Sequence, residues 1–163
     1  MLGVRAFNVR PKIGAAMPTI LAYVKNGGTV IVQYNRPDKL KADQIAPYEL
    51  TISADRVTNE KAHMEFLAPD SDLLNTPNKI TEADFDGWVQ ERGLYFPNKW
   101  DEHFEPVLAC NDADEPPRKG CLLVARYGQG YYIYTGLSFF RQLPAAVPGA
   151  YRLFANMVSI GKK

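Results

Sequence analysis

A chain of 163 residues, 46% hydrophobic and 23% charged, holds enough apolar material for one packed domain over residues 1–163, and too much for a disordered segment. Its formal net charge of +1, with basic residues scattered and the Lys162 and Lys163 pair read as a solvated tail, supplies no concentrated basic face for nucleic acid or an anionic membrane. No apolar run approaches the roughly 20 residues that span a bilayer, and residues 1–5 are too short for a signal-peptide core, so a soluble chain of undetermined compartment is expected, with export open to a longer parent.

Residues 2–6 read as a short buried strand that turns polar at Asn8. Pro18 is expected to open a helix, because a missing N–H costs nothing in the first turn. Ile20, Leu21 and Val24 give that helix an apolar face, and Asn26, Gly27 and Gly28 stop it with a left-handed cap. The β-branched run at 29–33 follows as a strand buried on both faces. Together these make a βαβ unit, which requires parallel strands and a right-handed crossover.

Residues 48–52 form a candidate strand, 55–60 a turn, and 73–79 a loop. Thr81 and Asp84 carry the spacing of a capping box that starts a short helix, with Phe85 and Trp88 facing inward. Residues 106–110 and 121–126 read as strands, 127–130 as a tight turn and 131–135 as the returning strand. A closing helix over 149–159 presents Leu153, Phe154, Met157 and Val158 as its stripe. The order predicts an α/β fold: a largely parallel sheet with helices on both faces and an antiparallel C-terminal hairpin.

Three stretches carry a resemblance: GVRAFN at 3–8, YVKNGGTVIVQYN at 23–35, and residues 78–156 with the adjoining PNKIT at 77–81, GWVQERG at 87–93 and GLSFFRQLP at 136–144. They resemble the class I glutamine-amidotransferase-like module found C-terminal to the zinc deacetylase domain of bacterial PIG-L/LmbE-type proteins. The resemblance implies a flavodoxin-like sheet with its site at the carboxyl ends of the parallel strands, in line with the general rule for open α/β sheets. It also implies at least one strand–helix unit ahead of residue 2, so the chain looks like the C-terminal part of a longer parent, or a shortened relative. One sheet edge would then be exposed, which a second copy could pair with.

Two departures from that family bear on chemistry. The cysteine nucleophile would fall at Gln33 or Tyr34, and neither an amide nor a phenol replaces a thiolate at neutral pH. The partner histidine would fall near 136–138, where there is none. His63 and His103 sit apart in the irregular middle and form no zinc site. No catalytic residue, metal or cofactor is therefore expected. Cys110 and Cys121 flank a turn-rich stretch, and read either as buried free thiols or as a cross-strand disulfide.

What remains is a binding reading. Arg5 and Asn8, then Gln33, Tyr34, Asn35 and Arg36, then Ser138 and Arg141 fall at strand ends and could converge on one crevice, with Arg5 or Arg141 reading a carboxylate or phosphate. The competing reading makes Arg5 and Asn35 structural. Trp88 and Trp100, among Tyr95, Phe96 and Phe104, offer sugar-stacking faces, or else close a satellite core; the resemblance to a deacetylase-associated module implies amino-sugar or glycan partners. Tyr127, Tyr131, Tyr132 and Tyr134 fit cross-strand packing. The expected function is a non-catalytic accessory or ligand-binding domain of a deacetylase-type protein. The alternatives are a hydrolase or transferase using Glu91, Asp101 or Glu102, and a protein-docking domain.

Overall fold

A computed structural model describes residues 1–40 and 44–162; Lys163 of the expected tail lies outside them. In chain order the elements are α1 (Ala6–Val9), α2 (Pro11–Lys25), β1 (Thr29–Gln33), β2 (Leu50–Ile52), β3 (Arg56–Val57), β4 (Met64–Phe66) and α3 (Asp72–Asn75). A 3-10 turn (Glu82–Phe85) leads to β5 (Gly93–Leu94), β6 (Pro97–Trp100), β7 (Phe104–Cys110), β8 (Arg118–Tyr127), β9 (Gly130–Thr135), α4 (Phe139–Gln142) and α5 (Pro148–Ser159).

The main sheet runs β1-β9-β8-β7-β4, and its only parallel neighbours among these strands are β1 and β9. The expected largely parallel sheet is thus corrected to a mixed one. The cause is connection length: β8 and β9 are joined by the tight turn at Gly128 and β7 and β8 by a short loop, and hairpins of this kind pair antiparallel. The βαβ unit survives in reduced form. Leu2 alone bridges β1 in parallel, with its N–H on the Ile31 carbonyl at 2.8 Å. The expected strand at 2–6 ends there because Arg5 takes a left-handed φ of 58° and the chain turns into α1.

Pro11, not Pro18, occupies the first turn of the long helix, and Pro18 lies inside it. An interior proline forfeits one backbone bond, which an exposed helix can return to water. Residues 73–79 begin inside the single turn of α3 rather than in loop, and 55–60 contain the two-residue β3. The capping box at Thr81 forms, its N–H donating to the Asp84 carboxylate at 2.8 Å, but it starts a 3-10 turn.

Both sheet faces are covered. On one, Ile31, Leu122, Val124 and Ile133 pack under α5, α3 and the 3-10 turn; Leu153 and Met157 point inward as the stripe predicts, while Val158 is exposed. On the other, Val30, Val32, Leu123, Tyr132 and Tyr134 pack under α1, α2 and residues 45–52. Cys110 and Cys121 are buried free thiols.

Tyr132 and Tyr134 are fully buried, and burial pushes both hydroxyls well above the ordinary tyrosine value. Their protonated forms are favoured by the fold, whereas the unfolded chain releases these protons near pH 10. That stability is complete below about pH 10 and is lost as pH rises further. The urea midpoint should therefore hold between pH 7 and 9 and fall by pH 11, with the tyrosinate absorbance of these two residues rising only as the chain unfolds. Full tyrosine ionisation near pH 10 with the fold intact would contradict this.

Candidate strand-end site

The carboxyl end of β1 is fixed by two asparagines. Asn35, completely buried, accepts the Phe7 N–H at 2.9 Å and donates to the Gln33 carbonyl at 2.9 Å, while its own N–H donates to the Tyr134 hydroxyl at 3.1 Å. Asn8 donates to the Arg36 carbonyl at 2.9 Å and accepts the Arg36 N–H at 2.8 Å. Both amides are thus consumed in tying α1 to the end of β1; for Asn35 this is the structural alternative raised from the sequence, whereas Arg5, the other residue of that alternative, is exposed. Arg36 itself turns outward to an exposed pair with Asp38.

The opposite wall comes from residues 89–95 and 136–142, sewn together by polar side chains. Gln142 accepts the Val89 N–H at 2.8 Å and donates to the Val89 carbonyl at 3.0 Å; it also donates to the Ser138 hydroxyl at 2.8 Å. Ser138, fully buried, donates to the Glu91 carbonyl at 2.5 Å. This holds the Glu91 carboxylate, only 4% exposed, between Arg141 at 3.0 Å and Arg56 at 2.6 Å. Glu91 is therefore a neutralised anchor, and the carboxylates once grouped with it lie elsewhere: Asp101 engages His103 and Glu102 is exposed.

Between the walls sits an aromatic shelf. Tyr34 stacks on Tyr95 with centroids 5.6 Å apart and meets Phe140 edge-on at 5.4 Å. The Arg141 guanidinium lies 4.8 Å from the centre of the Phe140 ring. Burial raises the Tyr34 hydroxyl above its ordinary value, and the nearby charge of Arg5, then that of Arg141, pulls it back in part. Arg5 is exposed and has no side-chain partner among the described residues. Arg5, Gln90 and Tyr95 all adopt positive φ, of 58°, 67° and 55°. Non-glycine residues in that region cost energy and gather at functional surfaces.

Arg5, Tyr34 and Arg141 thus come together as the sequence suggests, whereas Asn8, Asn35 and Ser138 support from behind. Gln33 is buried with its amide donating weakly to the Met1 sulfur at 3.4 Å and its carbonyl oxygen unpaired among the described residues. Tyr95, Phe140, Gln142 and Arg56 were not singled out for this site; the one-turn spacing of Ser138 and Gln142 is the signal that could have found Gln142. None of these residues lines the five clefts of 260 to 560 Å³ found elsewhere on the described residues.

Trp88 is corrected as a sugar-stacking face. It is 3% exposed, packs against Phe85 and Phe139, and its indole N–H donates to the Asp84 carbonyl. Buried Arg92 lies beside it, donating to the Ala62 and Phe85 carbonyls. Trp100 is only half-buried. His63 and His103 are exposed. Among the described residues no group of three or more metal-ligating side chains occurs, and no helix is long and apolar enough to cross a membrane.

The architecture defines a class: a mixed α/β sheet covered by helices on both sides. No protein-family model matches the chain, and no curated protein matches it in sequence. Solved structures share its fold, two of them described only as cytoplasmic proteins. One is the cytoplasmic protein STM3548 from Salmonella typhimurium, 16% identical with a TM-score of 0.59, aligned over 95% of this chain and 66% of that one. The other is the cytoplasmic protein STM1381 from Salmonella typhimurium LT2, 12% identical with a TM-score of 0.53, over 98% and 68%. This chain therefore spans about two thirds of the length of each.

Proposed function

We propose that this chain is a non-catalytic, amidotransferase-like binding domain on a flavodoxin-like frame, and that its strand-end surface holds a small anionic ligand on behalf of a PIG-L/LmbE-type deacetylase. The observation that carries the reading is that the GWVQERG and GLSFFRQLP motifs are bonded to each other there, through Ser138, Gln142 and the Arg141–Glu91 pair, beside Tyr34. The stretches that suggest the family are the ones that build the surface. Its exposed charge is cationic, because Glu91 is already neutralised by two arginines and Arg5 is left open to a ligand. The non-catalytic part of the reading rests on where the reactive groups are: both thiols are buried in the sheet core and both histidines stand on exposed positions away from Tyr34.

Thermal shift against glutamine, small carboxylates, phosphate esters and N-acetylated amino sugars tests the proposal. A specific ligand at 100 times its dissociation constant adds about 2.7 kcal/mol, a rise of roughly 5–10 °C at this size. Arg5→Gln should keep the unliganded Tm and lose the shift, since that side chain is exposed and unpartnered. A shift that survives both Arg5→Gln and Arg141→Gln would place the ligand elsewhere, and no shift with any compound would remove the ligand reading. Association with a deacetylase is tested separately by titrating the domain with a purified PIG-L-type catalytic domain.

Docking is the second reading, favoured by exposed apolar side chains near the start of the chain: Met1, Val9 and Tyr23 are 65%, 52% and 58% exposed. The outer edge of β1, bridged only by Leu2, is where a second copy would pair.

A further inference from the structure

A cleft that shares no lining residue with the strand-end surface has a different chemistry. It measures about 260 Å³ and is lined by Pro97, Asn98 and Trp100 of β6, Arg118 and Lys119 at the start of β8, Asp55 and Pro117. β6 crosses directly over β8 here: a Cβ placed on Gly120 would lie 2.0 Å from the Pro97 carbonyl oxygen, so only glycine admits the crossing. A bulge in the β2–β6 pairing falls at Asn98 and breaks the strand's alternation there, and Asn98 and Trp100 both line the cleft. Lys99, between them, is outside the lining and pairs with Glu49 at 2.8 Å. The Arg118 guanidinium is held in place by Asp55 at 3.3 Å and Glu115 at 3.0 Å, and its Nε–H has no acceptor among the described residues.

We propose that this cleft binds a single neutral pyranose ring, seated on Trp100 with its hydroxyls toward Asp55, Asn98 and Arg118. Three features select that class. The half-buried Trp100 and the two prolines are the apolar part of the lining, and an aromatic face suits the C–H face of a sugar. The rim offers a carboxylate acceptor, a guanidinium donor and an amide that does both, and hydroxyls, which donate and accept at once, can satisfy all three. Arg118 is already paired with Asp55 and Glu115, which leaves Lys119 as the one lining cation without an ion pair among the described residues, so a small anion is the competing occupant and phosphate its probe. The volume falls just below the roughly 300–1,000 Å³ of drug-sized ligand sites, which fits one ring and not a chain. This inference does not depend on the strand-end reading.

The test follows the indole N–H signals of ¹⁵N-labelled protein during titration with methyl β-D-glucopyranoside, methyl N-acetyl-β-D-glucosaminide and inorganic phosphate. Either sugar should shift the Trp100 signal saturably at about millimolar concentration and leave Trp88 unmoved. Trp100→Ala and Asp55→Asn should each weaken binding by about tenfold or more, and Trp100→Phe by about fivefold or less, because an aromatic face remains. Should Trp100→Ala not fold, Asp55→Asn and Trp100→Phe decide the matter. No saturable change at Trp100 up to about 100 mM sugar, a change produced by phosphate alone, or affinity untouched by Asp55→Asn would each overturn the proposal.

Discussion

Asn35→Ala should destabilise the protein by about 2–4 kcal/mol, a fall of roughly 5–15 °C in Tm, although a short polar side chain at a strand end looks dispensable. The Asn35 amide is completely buried and bonds the Phe7 N–H and the Gln33 carbonyl, so alanine leaves one donor and one acceptor without water or partner. Asn35→Asp should cost nearly as much, since it keeps the acceptor for Phe7 but sets a carboxylate against the Gln33 carbonyl. The loss should also reach the strand-end surface, because Phe7 belongs to α1 and α1 carries Arg5 at its start. Urea unfolding of the two variants checks this; a change below about 0.5 kcal/mol in both would mean the buried amide is replaceable.

The second large effect concerns Glu91. Removing both Arg56 and Arg141 leaves its carboxylate at 4% exposure with no counter-charge, and the double variant Arg56→Leu/Arg141→Leu should lose about 2–4 kcal/mol. Each single variant should lose less, because the remaining guanidinium still pairs with the other oxygen, and because the arginines are 55% and 35% exposed and partly screened. Adding Glu91→Gln to the double variant should recover much of the loss by removing the buried charge itself. Double-mutant-cycle unfolding distinguishes this from simple loss of packing: without recovery on Glu91→Gln, the clamp is not electrostatic.

The parts of the fold visible in the sequence are those where one local signal dominates. Four of the five residues at 29–33 are β-branched and the run is buried on both faces, and the turn at 127–130 carries the glycines a hairpin demands, so β1 and the β8–β9 pair were legible. Strands β4 and β6, MEF and PNKW, are short, each carries one charged residue, and one is led by proline; their pairing with β7 and β2 comes from tertiary contact alone. The start of α2 was misplaced because two prolines competed for the first turn, and local chemistry did not rank Pro11 over Pro18. At the site, Tyr34 and Arg141 followed from strand-end position. Their linkage through Glu91 did not, since nothing in the sequence relates residues 56, 91 and 141. Trp88 and Trp100 were indistinguishable for the same reason: one is walled in by Phe85 and Phe139, the other is not.

The pairing of β1 with β9 joins positions about 100 residues apart, from Thr29 with Tyr131 to Gln33 with Thr135, while β7, β8 and β9 pair with near neighbours. Local hairpins close fast and distant parallel pairs close slowly, so the C-terminal meander is placed to form first and the N-terminal quarter to dock onto it afterwards. Hydrogen exchange should show the same order in reverse, with β8 amides protected longest and those of α1 and α2 released earlier; uniform protection across all of them would show one cooperative unit. Arg5 rides on the late-docking part and Arg141 on the early one. A ligand gripped by both would act as a latch, slowing the departure of the segment that leaves first.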